Sequence, residues 1–205
     1  MWDEKTQKLA TTLFDIGAIK FGAFKLKLHE RMPDAPLSPI YIDLRLLRSF
    51  PDALDLAVSV YRELAGELEY DVYADVPTAA TPIVAVLSHE TRVPMITPRT
   101  DSKGHGTLGS VDGVFTPGSV ALLVDDLITS ADSKLEAAAI LAENGVVVHD
   151  IVVLIDREQG GPENLMNRGY RCHAAFQLTD LLDFYLGTRK ITQRQYEETR
   201  SYLEK

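Results

Sequence analysis

Apolar residues open the chain at helical spacing: Leu9, Leu13 and Ile16 recur at i, i+4 and i+7 between Asp3 and Ile16, and Gly17 offers the stop. From Ala18 to Leu26 the pattern shortens into Phe- and Lys-rich strands around Gly22. Glu30 to Pro39 holds three prolines and reads as a loop, after which Ile40-Tyr41-Ile42 resumes a strand. From Ser49 onward, helices of about ten to eighteen residues alternate with short apolar strands, which predicts parallel α/β architecture. Helices are expected at Asp52 to Leu68, at Ala79 to Glu90 with Pro82 in the first turn, at Ser133 to Glu143 before Gly145, near Asn164, from Thr179 and from Thr192. Strands are expected at Tyr70 to Val76, Val93 to Ile96, Ser119 to Asp125, Val146 to Ile155 and Arg171 to Phe176. The apolar run of Val146 to Ile155, interrupted only by His149 and Asp150, predicts burial on both faces. Between Pro98 and Gly113 no apolar pattern survives, and a structureless stretch of that length favours a functional loop.

Composition narrows the class. The 205 residues are 45% hydrophobic and 25% charged, the balance of a soluble globular protein, and no repeat, low-complexity tract or linker breaks them. One domain is expected over residues 1–205: an N-terminal helix and strands in 1–45, an α/β core in 46–176 and C-terminal helices in 177–205. No apolar run approaches the roughly 18 residues that cross a bilayer, and Met-Trp-Asp-Glu-Lys does not begin like a signal peptide, so a cytoplasmic location without a membrane partner is expected. A single cysteine, Cys172, cannot form an internal disulfide, and the scattered histidines (His29, His89, His149 and His173 among them) show no metal-ligand spacing. With 21 Lys and Arg against 30 Asp and Glu, the net charge of −9 argues against a nucleic-acid partner. An anionic ligand must therefore meet local basic residues.

The chemistry concentrates in Ser119-Val-Ala-Leu-Leu-Val-Asp-Asp-Leu-Ile-Thr-Ser-Ala-Asp-Ser133. A buried strand runs into two adjacent acids, Asp125 and Asp126, and ligands of parallel sheets bind beyond the carboxyl ends of strands. Thr129, Ser130 and Ser133 then lead into a helix N-terminus, where backbone N–H groups and hydroxyls suit a phosphate. Acids beside such a cradle suit sugar hydroxyls, a metal or a developing positive charge. The same residues would also serve simply to end a strand and cap a helix.

Together these residues resemble the phosphoribosyl pyrophosphate motif of the type I phosphoribosyltransferases. Further segments narrow the resemblance to the orotate phosphoribosyltransferase family: Phe21-Gly-Ala-Phe-Lys-Leu-Lys27, Ser38-Pro-Ile-Tyr-Ile-Asp-Leu-Arg45, Val76-Pro-Thr-Ala-Ala-Thr-Pro82, Arg99-Thr-Asp-Ser-Lys-Gly-His-Gly-Thr107 and Asp156-Arg-Glu-Gln-Gly-Gly161. They stand in the family's order and cover most of the chain. The resemblance implies a central, mostly parallel sheet flanked by helices, with a small hood formed by the N-terminal segment. It also implies a Mg²⁺-dependent pentosyl transfer, from phosphoribosyl pyrophosphate to orotate, that makes orotidine 5′-monophosphate for pyrimidine biosynthesis.

The resemblance assigns roles residue by residue. Lys103, His105, Asp125 and Asp126 carry catalysis. Arg99, Lys103, His105, Asp125, Asp126 and the loop Thr129, Ser130, Ala131, Asp132 and Ser133 bind phosphoribosyl pyrophosphate, while Lys27, Phe24, Thr129 and Arg157 bind orotate. The protein supplies no metal ligand, Mg²⁺ being held mainly by the substrate. A homodimer is implied, with the Lys103 loop serving the neighbouring subunit's site. Three departures stand out: Thr100 where the family has lysine, Ala131 where it has glycine, and Leu28-His29 where Ser-Gly follows the lysine. A transferase for another base, or a nucleotide-binding regulator without catalysis, stay open on the residues alone.

Overall fold

The computed structural model describes residues 2–25, 32, 34–99 and 110–204. In chain order the elements are α1 (Glu4–Asp15), β1 (Ile19–Phe24), β2 (Ser38–Ile42), a 3-10 helix (Leu44–Ser49), α2 (Pro51–Ala65), β3 (Val72–Asp75), α3 (Thr81–Thr91), β4 (Met95–Pro98), β5 (Val111–Asp112), β6 (Val120–Ile128), α4 (Asp132–Glu143), β7 (Val147–Asp156), α5 (Gly161–Met166), β8 (Arg171–Gln177), α6 (Leu178–Gly187) and α7 (Gln193–Leu203). Expected elements recur with ends shifted by a few residues. The 3-10 helix and the two-residue β5 were not legible in the pattern, being too short to show a period.

Two compact units emerge, one of residues 1–53 and 178–205 and the other of residues 54–177. In the first, β1 and β2 pair antiparallel with Ile19 opposite Ile42 and Phe21 opposite Ile40. Leu9 and Leu13 of α1 are wholly buried, and the Tyr185 hydroxyl of α6 donates to the Ala10 carbonyl at 2.8 Å. Asp3 caps α1 by accepting from the Thr6 N–H at 2.8 Å, and Thr192 and Gln195 form a capping box at the start of α7.

The second unit is a six-stranded sheet in the order β5-β4-β3-β6-β7-β8. Its pairs are parallel except β4 with β5. Alternation sends Ala121, Leu123, Ile151 and Val153 to one face, where they join Ala137, Ala138 and Leu141 of α4 in one cluster. Leu122, Val124, Val152 and Leu154, equally buried, belong to the other face. The consecutive apolar residues Ala121 to Val124 and Ile151 to Ile155 are therefore what a doubly covered parallel sheet requires. At the other end of β7, Asp150 receives Arg171 at 2.6 Å and His173 at 2.7 Å. The Arg171 guanidinium, with His173, holds the Asp150 carboxyl down at about 2 against its burial.

Candidate active site

Strand order decides where a site can lie. The chain leaves β3 for β4 on one side and returns to β6 on the other, so the crevice beyond the carboxyl ends of β3 and β6 is a topological switch point. Each of these ends is acidic. Asp75, the last residue of β3, is wholly buried and accepts hydrogen bonds from the hydroxyls of Thr81 on α3 and Thr97 on β4, tying the strand end to its neighbours. The Pro77–Thr78 peptide just beyond is cis.

On β6 the two acids differ in burial and in partners, although their carboxyls lie within hydrogen-bonding reach of each other. Asp125 is 4% exposed; its Oδ2 lies 2.5 Å from Nζ of Lys134, and its Oδ1 accepts from the Asp126 N–H at 2.8 Å. Lys134, in the first turn of α4, is itself 4% exposed and also donates to the Leu127 carbonyl at 2.5 Å. Asp126 is half-buried and accepts from the Leu127 N–H at 2.8 Å. Burial, then the negative charge of Asp125, pushes the Asp126 carboxyl up to about 7, with Lys134 pulling the other way. The Tyr61 hydroxyl of α2 donates to the Asp125 carbonyl at 2.7 Å; burial, and then the two acids, raise its pKa far above the usual phenol range.

After the acids, Thr129 to Ala131 turn the chain into α4, whose first N–H groups have no partner within the helix and carry the positive end of its dipole. The Ser130 hydroxyl donates to the Asp132 carboxylate at 2.7 Å. The following crossover braces this turn: the Arg157 N–H donates to the Ile128 carbonyl at 3.0 Å, and the Asn164 side-chain amide donates to the Ser130 carbonyl at 3.1 Å. Buried Gly161 leaves no room over Thr129 for a Cβ.

Ala131 has φ of 77°, the left-handed conformation that favours glycine. Its methyl does not crowd the outer face of the turn, since the residue is 2% exposed and belongs to the core cluster beneath α4. The left-handed backbone costs roughly 1–2 kcal/mol, and burying one methyl returns about 0.8 kcal/mol. Ala131→Gly is therefore expected to change stability by no more than about 1 kcal/mol, read by thermal unfolding.

The residues singled out in the sequence fall into three groups. Asp125, Asp126, Thr129 to Ser133 and Arg157 gather at the carboxyl ends of β6 and β7. Arg99 follows β4, with its guanidinium 3.5 Å from Asp112, and Phe24 lies on β1 of the other unit with its ring 5.6 Å from that of Tyr41. Lys27, Lys103 and His105 lie outside the described residues. Sequence reasoning missed Lys134, Asp75, Tyr61 and Asn164. Lys134 did carry a signal: with Ala137, Ala138 and Leu141 it completes the i, i+3, i+4, i+7 stripe of α4 that faces the core.

No protein-family model matches the chain. Among proteins of known name, it is 36% identical to orotate phosphoribosyltransferase of Pyrococcus abyssi, over 86% of this chain and 95% of that protein. It is 34% identical to uridine 5′-monophosphate synthase of Bos taurus over 96% of this chain, and there it spans only 40% of the relative's length. Among solved structures, orotate phosphoribosyltransferase from Aeropyrum pernix superposes with a TM-score of 0.77 at 30% identity, covering 88% of this chain and 98% of that one.

Proposed function

The chain belongs to the orotate phosphoribosyltransferase family, and from that premise we propose that it transfers ribose 5-phosphate from phosphoribosyl pyrophosphate to N1 of orotate. In that reaction the bond from the anomeric carbon to pyrophosphate breaks, the bond to N1 forms, the N1 proton leaves, and the products are orotidine 5′-monophosphate and pyrophosphate. The observation that carries this reading is the meeting, at one strand end, of a half-buried carboxylate and an anion-suited helix N-terminus. Bond breaking places positive charge on the ribose, and Asp126 on a buried strand end opposes it more strongly than it would in water. Thr129 to Ser133 would receive the 5′-phosphate through the N–H groups of α4 and the hydroxyls, the Ser130 hydroxyl exchanging its Asp132 partner for phosphate. Arg157, fixed at the end of β7, suits the planar carboxylate of orotate.

Mg²⁺ held by the diphosphate would shield its charge as it departs. Lys134 and backbone N–H groups already occupy oxygens of the acid pair, so the ion would be held mainly by the substrate. The reading extends to Lys27 and Phe24 at orotate, and to Arg99, Lys103 and His105 at the diphosphate. It includes a cytoplasmic homodimer in which the Lys103 loop serves the partner's site, on the strength of the family resemblance.

The purified protein is expected to consume orotate, read as loss of its absorbance, only with both phosphoribosyl pyrophosphate and Mg²⁺ present. No consumption by folded protein would leave a binding role without catalysis. Arg157→Ala is expected to raise the KM for orotate by at least about tenfold while changing that for phosphoribosyl pyrophosphate little, because its partner is a ground-state carboxylate. Equal effects on the two substrates would make Arg157 structural.

A further inference from the structure

We propose that Lys134 is a positioning residue for the transfer: anchored in the first turn of α4, it holds the Asp125 carboxylate inward and leaves Asp126 as the single acid of the pair presented to the ribose. Only the last step rests on the phosphoribosyl-transfer reading. Both oxygens of Asp125 have partners inside the protein, Oδ2 at Lys134 and Oδ1 at the Asp126 N–H. Lys134 in turn lies on the apolar stripe of α4, where an unpaired ammonium would be costly, and it spans the strand end by reaching both Asp125 and the Leu127 carbonyl. A lysine placed there is badly suited to a solvated helix face. It is well suited to cancel the charge of Asp125 so that Asp126, the less buried of the two and its direct neighbour, can ionise beside it.

Among the described residues, the groups facing Asp126 are few. Asp125 comes from its own strand, Lys134 from α4 and the Tyr61 phenol from α2. Asp75, at the end of β3, is engaged with Thr81 and Thr97, and Asp156, at the end of β7, accepts from the Glu158 N–H at 2.8 Å. Of these, Lys134 favours the ionised form of Asp126 and Asp125 opposes it.

The test titrates the Asp126 carboxyl by carbon-13 NMR in the full, unliganded chain, alongside kinetics. Its midpoint in the wild type is expected at about 7. Lys134→Met is expected to raise that midpoint by at least about one unit and to lower kcat/KM at pH 7 about tenfold, with the KM for orotate unchanged. The double variant Asp125→Asn, Lys134→Met, which leaves no buried charge unpaired, is expected to bring the midpoint back down. It should also keep kcat/KM within about tenfold of wild type, far above Asp126→Asn. An Asp126 midpoint unmoved by Lys134→Met would make the lysine merely structural. A double variant as inactive as Asp126→Asn would mean that Asp125 itself serves the ribose, and it overturns the proposal even if Lys134→Met does not fold. The titration needs no turnover, so failure of the proposed reaction is read separately, as absent orotate consumption.

Discussion

Asp126→Asn is expected to keep the fold and to lower kcat/KM about 100-fold, a loss of roughly 3 kcal/mol of transition-state stabilisation. Asparagine is isosteric and its side-chain oxygen still accepts from the Leu127 N–H, so the strand end is preserved. What disappears is negative charge opposite a cation that exists mainly in the transition state, and such a loss appears in kcat rather than in binding alone. Two pH signatures separate this from a packing defect. The wild-type Asp126 carboxyl is raised to about 7, so the folded state holds a proton that the unfolded state has lost above the ordinary carboxylate value of about 4. An acid raised on folding contributes instability that grows as pH rises across that window, and the asparagine variant is expected to match or exceed wild-type thermal stability at pH 8. In kinetics, the wild-type kcat/KM is expected to fall as pH drops through about 7, and this limb should vanish in the variant. A variant running at the wild-type rate would mean that the acid motif has been misread.

The parallel sheet and the strand-acid-loop segment were legible in the chain because both are local. Continuous apolar runs of β6 and β7 give burial on both faces, and the acids stand directly after the run, so sequence order alone places them at a strand end. What escaped was set by contacts distant in sequence. Lys134 stands on the core-facing stripe of α4, but its partner Asp125 is set only by how α4 lies on β6. Asn164 reaches Ser130 across a strand and a turn. Asp75 is invisible as a tie until β4 and α3 bring their threonines to it. Two adjacent acids likewise read as equals in the sequence. The fold makes them unequal, one almost wholly buried and ion-paired with a lysine of α4, the other half-buried beside it.

Gly161→Ala is expected to damage this protein more than any other one-methyl change in the crossover after β7. Gly161 opens α5 and is buried against the turn that follows the acids. A Cβ there would lie 2.3 Å from the Thr129 carbonyl oxygen and 2.4 Å from Cγ1 of Ile128, with Cδ1 of the same side chain at 2.8 Å. The nearest obstacle is backbone, so no rotamer change relieves the clash; either α5 lifts away or the Thr129–Ser130 turn is pushed out of place. Overpacking of this kind costs about 3 kcal/mol at its upper range, which for a chain of this size lowers Tm by roughly 6–12 °C. On the proposed reading, displacing the Thr129–Ser130 turn by about an ångström is expected to cost about 100-fold in kcat/KM for phosphoribosyl pyrophosphate, because positioning is lost along with stability. Gly160→Ala separates the two effects. Gly160 has φ of +81°, and a Cβ there meets nothing within 4 Å, so that variant should lose about 1 kcal/mol from its left-handed backbone and keep its kinetics. Thermal unfolding and steady-state rates on the pair decide the matter: stability lost in both but activity only in Gly161→Ala shows that α5 holds the turn in register, whereas Gly161→Ala with wild-type kcat/KM would uncouple α5 from the site.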